Sequence, residues 1–117
     1  GCFFMENCIF CKIANKEIGN LIYENDYVAA FDDLNPVAPI HSLIVPKKHI
    51  INIEDLTGED LIYISEIHRA IKEVAKIKGV NETGYRVISN CGKDAGQSVM
   101  HLHYHLIGGK TLGEKII

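Results

Sequence analysis

Long apolar runs are missing from this sequence of 117 residues. No stretch approaches the roughly 18 residues that span a bilayer, which argues against a helical membrane protein. No basic segment leads into an apolar one near the start, so no secretory signal peptide is expected. An excess of one charge is missing too: 12 Lys and Arg stand against 15 Asp and Glu, a net charge of -3. Such a mildly acidic domain is poorly suited to hold polymeric nucleic acid by counterion release. Cysteine is scarce, with only Cys2, Cys8, Cys11 and Cys91, too sparse for a secreted disulfide scaffold. Repeats and low-complexity tracts are absent. These absences together lead us to expect a cytoplasmic protein that binds neither membrane nor polymeric nucleic acid.

What is present suffices for a core. Apolar residues make up 47% and charged residues 23%, a balance that argues against disorder. The length suits one domain. Gly1-Cys2-Phe3-Phe4 before Met5 reads as an expression scar or an apolar tail. The expected domain is therefore residues 5–117.

The pattern predicts an α+β fold: a five-stranded antiparallel sheet with one short and one long helix on one side of it. Ile9, Phe10 and Ile13 predict a short helix over residues 9–16, ended by Gly19. Residues 21–24 and 27–31 predict two strands joined at Asn25-Asp26. Pro36 and Pro39 forbid ladder bonds and make residues 32–39 a loop. A third strand is predicted over 41–46. Thr57 and Asp60 have capping-box spacing, and a long helix should follow to about Lys78, where Gly79 stops it. Its apolar face carries Leu61, Ile64, Ile67, Ile71, Val74 and Ala75. Tyr63, Ala70 and Ile77 widen that face, which suits either a deeply seated helix or one that also packs on a partner. Strands over 84–90 and 99–107 complete the sheet.

His101-Leu102-His103-Tyr104-His105 carries the chemistry. Strand side chains alternate, so the three imidazoles should share one face while Leu102, Tyr104 and Leu106 share the other. Packing rarely calls for such a row. Two chemistries fit it: a metal site, or one nucleophilic imidazole oriented by the others. No carboxylate lies within several residues before the row, and the next after it is Glu114. Gly96-Gln97-Ser98 does lie nearby, a turn whose backbone N–H groups and hydroxyl suit a phosphate. Cys8-Ile9-Phe10-Cys11 is a C-x2-C pair, suited to two thiolates on one metal ion. A redox role would call for a thioredoxin-like context, which is not seen.

The run from His101 through Gly108-Gly109 resembles the motif of the histidine triad nucleotide-binding proteins, and their small phosphoramidase branch in particular. Cys8-Ile9-Phe10-Cys11-Lys12-Ile13, residues 41–49 and Gly96-Gln97-Ser98 match as well. The likeness covers about Asn7 to Gly109, nearly the whole chain.

This resemblance implies binding of purine nucleoside monophosphates and cleavage at the α-phosphorus of their phosphoramidates through a nucleotidyl-histidine, releasing AMP or GMP without a catalytic cofactor. The nucleophile would be His103. His105 would orient it, His41 would join the triad, and Ser98 would lie near the leaving group. Asn90, Gly96, Gln97 and Ser98 would hold the phosphate and Asp33 the ribose. Phe10, Ile13, Phe31 and Leu34 would line the base pocket with Asp32 alongside, where many relatives have His. Similar bacterial proteins carry a structural zinc site, for which His49 and His101 are the best partners of Cys8 and Cys11. The resemblance also implies a homodimer with the sheet extended across it; the broad apolar face of the long helix suggests Tyr63, Ala70 and Ile77 or their neighbours for the contact, joined by the strand of residues 85–89. Rival readings are a dinucleoside polyphosphate hydrolase, a nucleotide-binding regulatory module, and a metal-dependent phosphohydrolase.

Overall fold

A computed structural model describes residue 5 and residues 7–117. The expected scar or tail at residues 1–4 lies outside the described residues. Helix α1 spans Ile9–Ala14 and α2 spans Leu61–Ile77; the strands are β1 Tyr23–Glu24, β2 Val28–Asp32, β3 Ile40–Pro46, β4 Tyr85–Ile88 and β5 Tyr104–Gly108. The strands form one antiparallel sheet in the order β1-β2-β3-β5-β4. Among the described residues no helix is long and apolar enough to cross a membrane.

The two helices lie on opposite faces of this sheet, not on one side as expected. Alternation in β2 and β3 explains the arrangement. Val28, Ala30 and Ile44 join Leu102 and Leu106 in a core beneath α2, built on its Ile67, Ala70, Ile71, Val74 and Ala75. Ala29, Phe31, Leu43 and Val45 form a second core with Phe10 and Ala14 of α1. Residues 28–31 and 41–46 are buried without a break, the mark of strands covered on both faces.

The start of α2 is fixed by Asp60. Its carboxylate accepts the Thr57 backbone N–H at 3.0 Å and the Thr57 hydroxyl at 3.2 Å, and Lys48 donates to its other oxygen. The Lys48 ammonium and the Thr57 N–H hold this carboxyl below its usual range. The widened apolar arc of α2 divides. Ala70 is fully buried in the chain's own core, which leaves it no surface for a partner, whereas Ile77 is 55% exposed and Leu61 56%.

The fifth strand begins later than the pattern predicts. Tyr104 pairs with Ile44 and His105 with Ile88, and residues 99–103 lie outside the ladder. Loop contacts hold them instead: Leu102 N–H donates to Ile50 O at 2.6 Å, and Gln97 Nε2 to Val99 O at 3.0 Å. Side-chain alternation persists without the ladder. Leu102 and Leu106 enter the α2 core, while the three histidines face α1.

Candidate active site and metal centre

Each imidazole of the site makes a different bond on the α1 face. His103 is buried, and its Nδ1 lies 2.7 Å from the carbonyl oxygen of His101. A carbonyl only accepts, so Nδ1 carries a proton, and in the neutral ring Nε2 keeps its lone pair. Phe10 of α1 meets the His103 ring edge to face, centroids 5.0 Å apart. Beyond it the Ser89 hydroxyl donates to the His103 carbonyl at 2.9 Å.

A second chain of bonds runs from the loop after β2. Val37 N–H donates to His41 Nδ1 at 3.1 Å, which leaves the His41 proton on Nε2. That nitrogen lies 2.8 Å from His105 Nδ1, so His105 accepts there and carries its own proton on Nε2. The rings of His103 and His105 are 5.1 Å apart. Burial, then the neighbouring imidazoles of His103 and His41, push His105 down to about 4 against the pull of Asp33. His105 is therefore neutral near pH 7. The site pairs one ring nitrogen that can attack with another that can donate a hydrogen bond.

The cysteines come together with two more histidines. Cys8 caps α1, its sulfur accepting from the Cys11 N–H at 3.4 Å, so the helix start turns both thiols the same way. The ligand atoms of Cys8, Cys11, His49 and His101 all lie within 4.8 Å of one another. Cys8 Sγ is 3.3 Å and Cys11 Sγ 3.5 Å from His101 Nδ1, and Cys11 Sγ is 3.3 Å from His49 Nδ1. Bonds of about 2.3 Å to sulfur and 2.0 Å to nitrogen make the S–N edge of a tetrahedral zinc site about 3.5 Å. Donor set and spacing fit zinc. His101 Nε2 lies 2.8 Å from Pro46 O, which places its proton there and leaves Nδ1 for a metal. Burial pushes His101 down to about 4.

A HIT domain profile matches residues 15–112. The chain belongs to the HIT family. It is 38% identical over 109 residues to the purine nucleoside phosphoramidase of Escherichia coli, a match covering 92% of each chain. A HIT family hydrolase from Clostridium thermocellum superposes with a TM-score of 0.93 at 47% identity, covering 97% of this chain and 99% of that one. A histidine triad protein from Clostridium difficile does so with a TM-score of 0.90 at 53% identity, covering 95% and 97%. The protein is a HIT family hydrolase.

Not every expected HIT site residue meets the triad. Asp33 does: its Oδ2 is 3.4 Å from His41 Nε2, while its Oδ1 accepts from Asn35 N–H at 2.8 Å. Asp32 does not. It sits on the other face of β2, where its carboxylate accepts from Ser42 at 2.9 Å and Lys78 at 2.8 Å. Phe10 and Phe31 are buried edge to face, centroids 5.5 Å apart, with half-buried Ile13 in the same cluster. Leu34 is 94% exposed in the open loop. Asn90 is half-buried just past β4.

The Gly96–Ser98 turn differs most from its expected use. The N–H groups of Gly96 and Gln97 donate to Lys93 O and Gly92 O at 3.0 and 3.1 Å, so they are spent inside the turn. Left-handed Gly92 (φ 86°) and Gly96 (φ 81°) allow it to close. The Gln97 side chain is buried, donates to Ile51 O at 2.7 Å and Val99 O, and accepts from Gly92 N–H at 2.9 Å and Asn52 at 3.2 Å. It clasps two loops rather than offering itself to a phosphate. Ser98 is exposed and lines a cleft of about 430 Å³ with Ile9, His49, Val99 and Met100. Sequence reasoning missed Val37, Pro46 and the carbonyl of His101, because each acts through its backbone. Ser89 and Asn52 carried no motif that would have singled them out.

Proposed function

We propose that this HIT hydrolase cleaves purine nucleoside phosphoramidates at the α-phosphorus. His103 Nε2 attacks phosphorus, the P–N bond breaks, and the amine leaves with a proton supplied by solvent, while the neutral His105 donates a hydrogen bond from Nε2. Water then displaces the imidazole and releases the nucleoside monophosphate, AMP or GMP. The observation that carries this reading is the 2.7 Å bond from His103 Nδ1 to His101 O: it holds the ring in the one tautomer whose outward nitrogen can attack. Likeness to the Escherichia coli phosphoramidase supports the substrate class.

In this reading Asp33 accepts the ribose hydroxyls, Asn90 and Ser98 meet the phosphate, and Phe10, Phe31 and Ile13 back the base. Zinc at Cys8, Cys11, His49 and His101 binds without an open position for substrate, as four protein ligands dictate. The enzyme acts in the cytoplasm as a homodimer, with β4 at the sheet edge and exposed Ile77 available to the contact. Sedimentation at micromolar concentration should give twice the chain mass; the chain mass alone would contradict it. Turnover of adenosine phosphoramidate against a diadenosine polyphosphate tests the function, and faster release from the polyphosphate would overturn the assignment.

A second reading rests on Asp33, His41 and His105, whose ligand atoms also lie within 4.8 Å of one another. They suit a metal-dependent phosphohydrolase. Turnover that persists after chelation of free divalent metal would exclude it.

A further inference from the structure

The metal centre and the proposed nucleophile share one residue. His101 offers Nδ1 to the two thiols, and its backbone carbonyl takes the Nδ1 proton of His103. We propose that His101 is a positioning residue through which metal occupancy sets the orientation of His103, so that the zinc centre governs turnover as well as stability. This inference rests on the reading of His103 as nucleophile.

The backbone here explains why the coupling is needed. A carbonyl within a strand ladder is held by its neighbours, but β5 begins only at Tyr104, so no ladder bond fixes residue 101. Its position depends on the Leu102 N–H bond to Ile50 and on its own ring. That ring is fully buried, with one nitrogen on Pro46 O and the other facing both sulfurs. A metal bond to Nδ1 ties the ring to β3's following loop through His49 and to α1 through the cysteines. Without the ion the ring keeps Pro46 but holds its other nitrogen only by weak thiol contacts.

Phe10 supplies a second route. It lies between Cys8 and Cys11 on α1 and touches both imidazoles, 6.1 Å from His101 and 5.0 Å from His103 between centroids. Helix α1 has six residues, too few to hold itself in water. Two metal–sulfur bonds would fix its pose and with it the ring that backs His103. Both routes end at the same imidazole, and the Phe10 route also reaches the proposed base pocket.

Linkage makes the part of the effect that reaches AMP binding reciprocal, so the His103 ring and the metal both report the coupling. In the full chain with selectively 15N-labelled histidine, the zinc-loaded protein should show one tautomer of His103, protonated at Nδ1. Removing the ion by chelation should broaden or split that signal. It should also lower kcat at least tenfold and weaken AMP binding by a smaller factor, and added zinc should restore both. His49→Cys, which leaves a Cys3His donor set, should retain the metal and the single tautomer. If the metal-free chain unfolds by circular dichroism, the decision passes to the cobalt-substituted protein, where AMP should shift the visible cobalt bands. A metal-insensitive His103 signal with unchanged kcat, or cobalt bands indifferent to AMP, would overturn the proposal. A signal that follows the metal in a protein that forms no nucleotidyl adduct would retain the coupling and refute the nucleophile instead.

Discussion

His41 Nε2 lies 2.8 Å from His105 Nδ1, and the direction of that bond is decided at its far end. Val37 N–H occupies His41 Nδ1, so the proton must sit between the two rings on the His41 side. His105 is thereby left with a proton on the nitrogen that faces outward. Removing His105 deletes the donor, and removing His41 deletes only its orientation. His105→Ala should lower turnover on the order of 10²–10⁴-fold, as for a lost orienting or acid–base group, and His41→Ala by less. The double variant should be no worse than His105→Ala, because the two act as one unit. Steady-state kinetics on all three checks this; independent, multiplying losses would contradict it.

The depressed His105 has a consequence for stability. Its folded value is about 4 against an ordinary 6.5, so between those values the unfolded chain binds a proton that the native chain does not. Stability should therefore fall as the pH drops through this window, and level off for this group below it. Thermal unfolding across pH 4 to 7 should show a shallower slope in His105→Asn than in the unsubstituted protein. Equal slopes would refute the assignment.

Gln97 carries a separate prediction. Its truncation strips partners from Ile51 O, Val99 O, Gly92 N–H and Asn52. Gln97→Ala should cost about 1–3 kcal/mol, the penalty for buried polar groups left unpaired. Gln97→Glu keeps the acceptor but turns an oxygen toward two carbonyls, so it should not rescue stability. Denaturant unfolding measures both, and full stability in Gln97→Glu would contradict the clasp.

These residues also mark how far the sequence could be read. Period-two spacing found the histidine row, and the side-chain alternation holds even where the ladder does not reach. β5 starts at Tyr104 opposite Ile44, although β3 runs on to Pro46, and where that pairing stops is a tertiary matter that local pattern does not encode. Asp32 and Asp33 are neighbours on an extended chain and so must face opposite ways. That same rule would have separated Asp32 from the triad. Burial of both faces was visible in the unbroken apolar run Val28-Ala29-Ala30-Phe31, yet one-sided packing was expected. Gln97 shows the opposite limit: its identity matched a motif, but the direction of its amide depended on Ile51 and Asn52, more than forty positions away.

The central claim is that His103 Nε2 takes the nucleotidyl group. Acid quench during turnover of a labelled adenosine phosphoramidate, followed by peptide mapping, tests it most directly. A burst of amine should accompany label on His103, with no label in His103→Asn, which should lose turnover by several orders of magnitude yet still bind AMP. Label on any other residue, or near-normal turnover in His103→Asn, would contradict it.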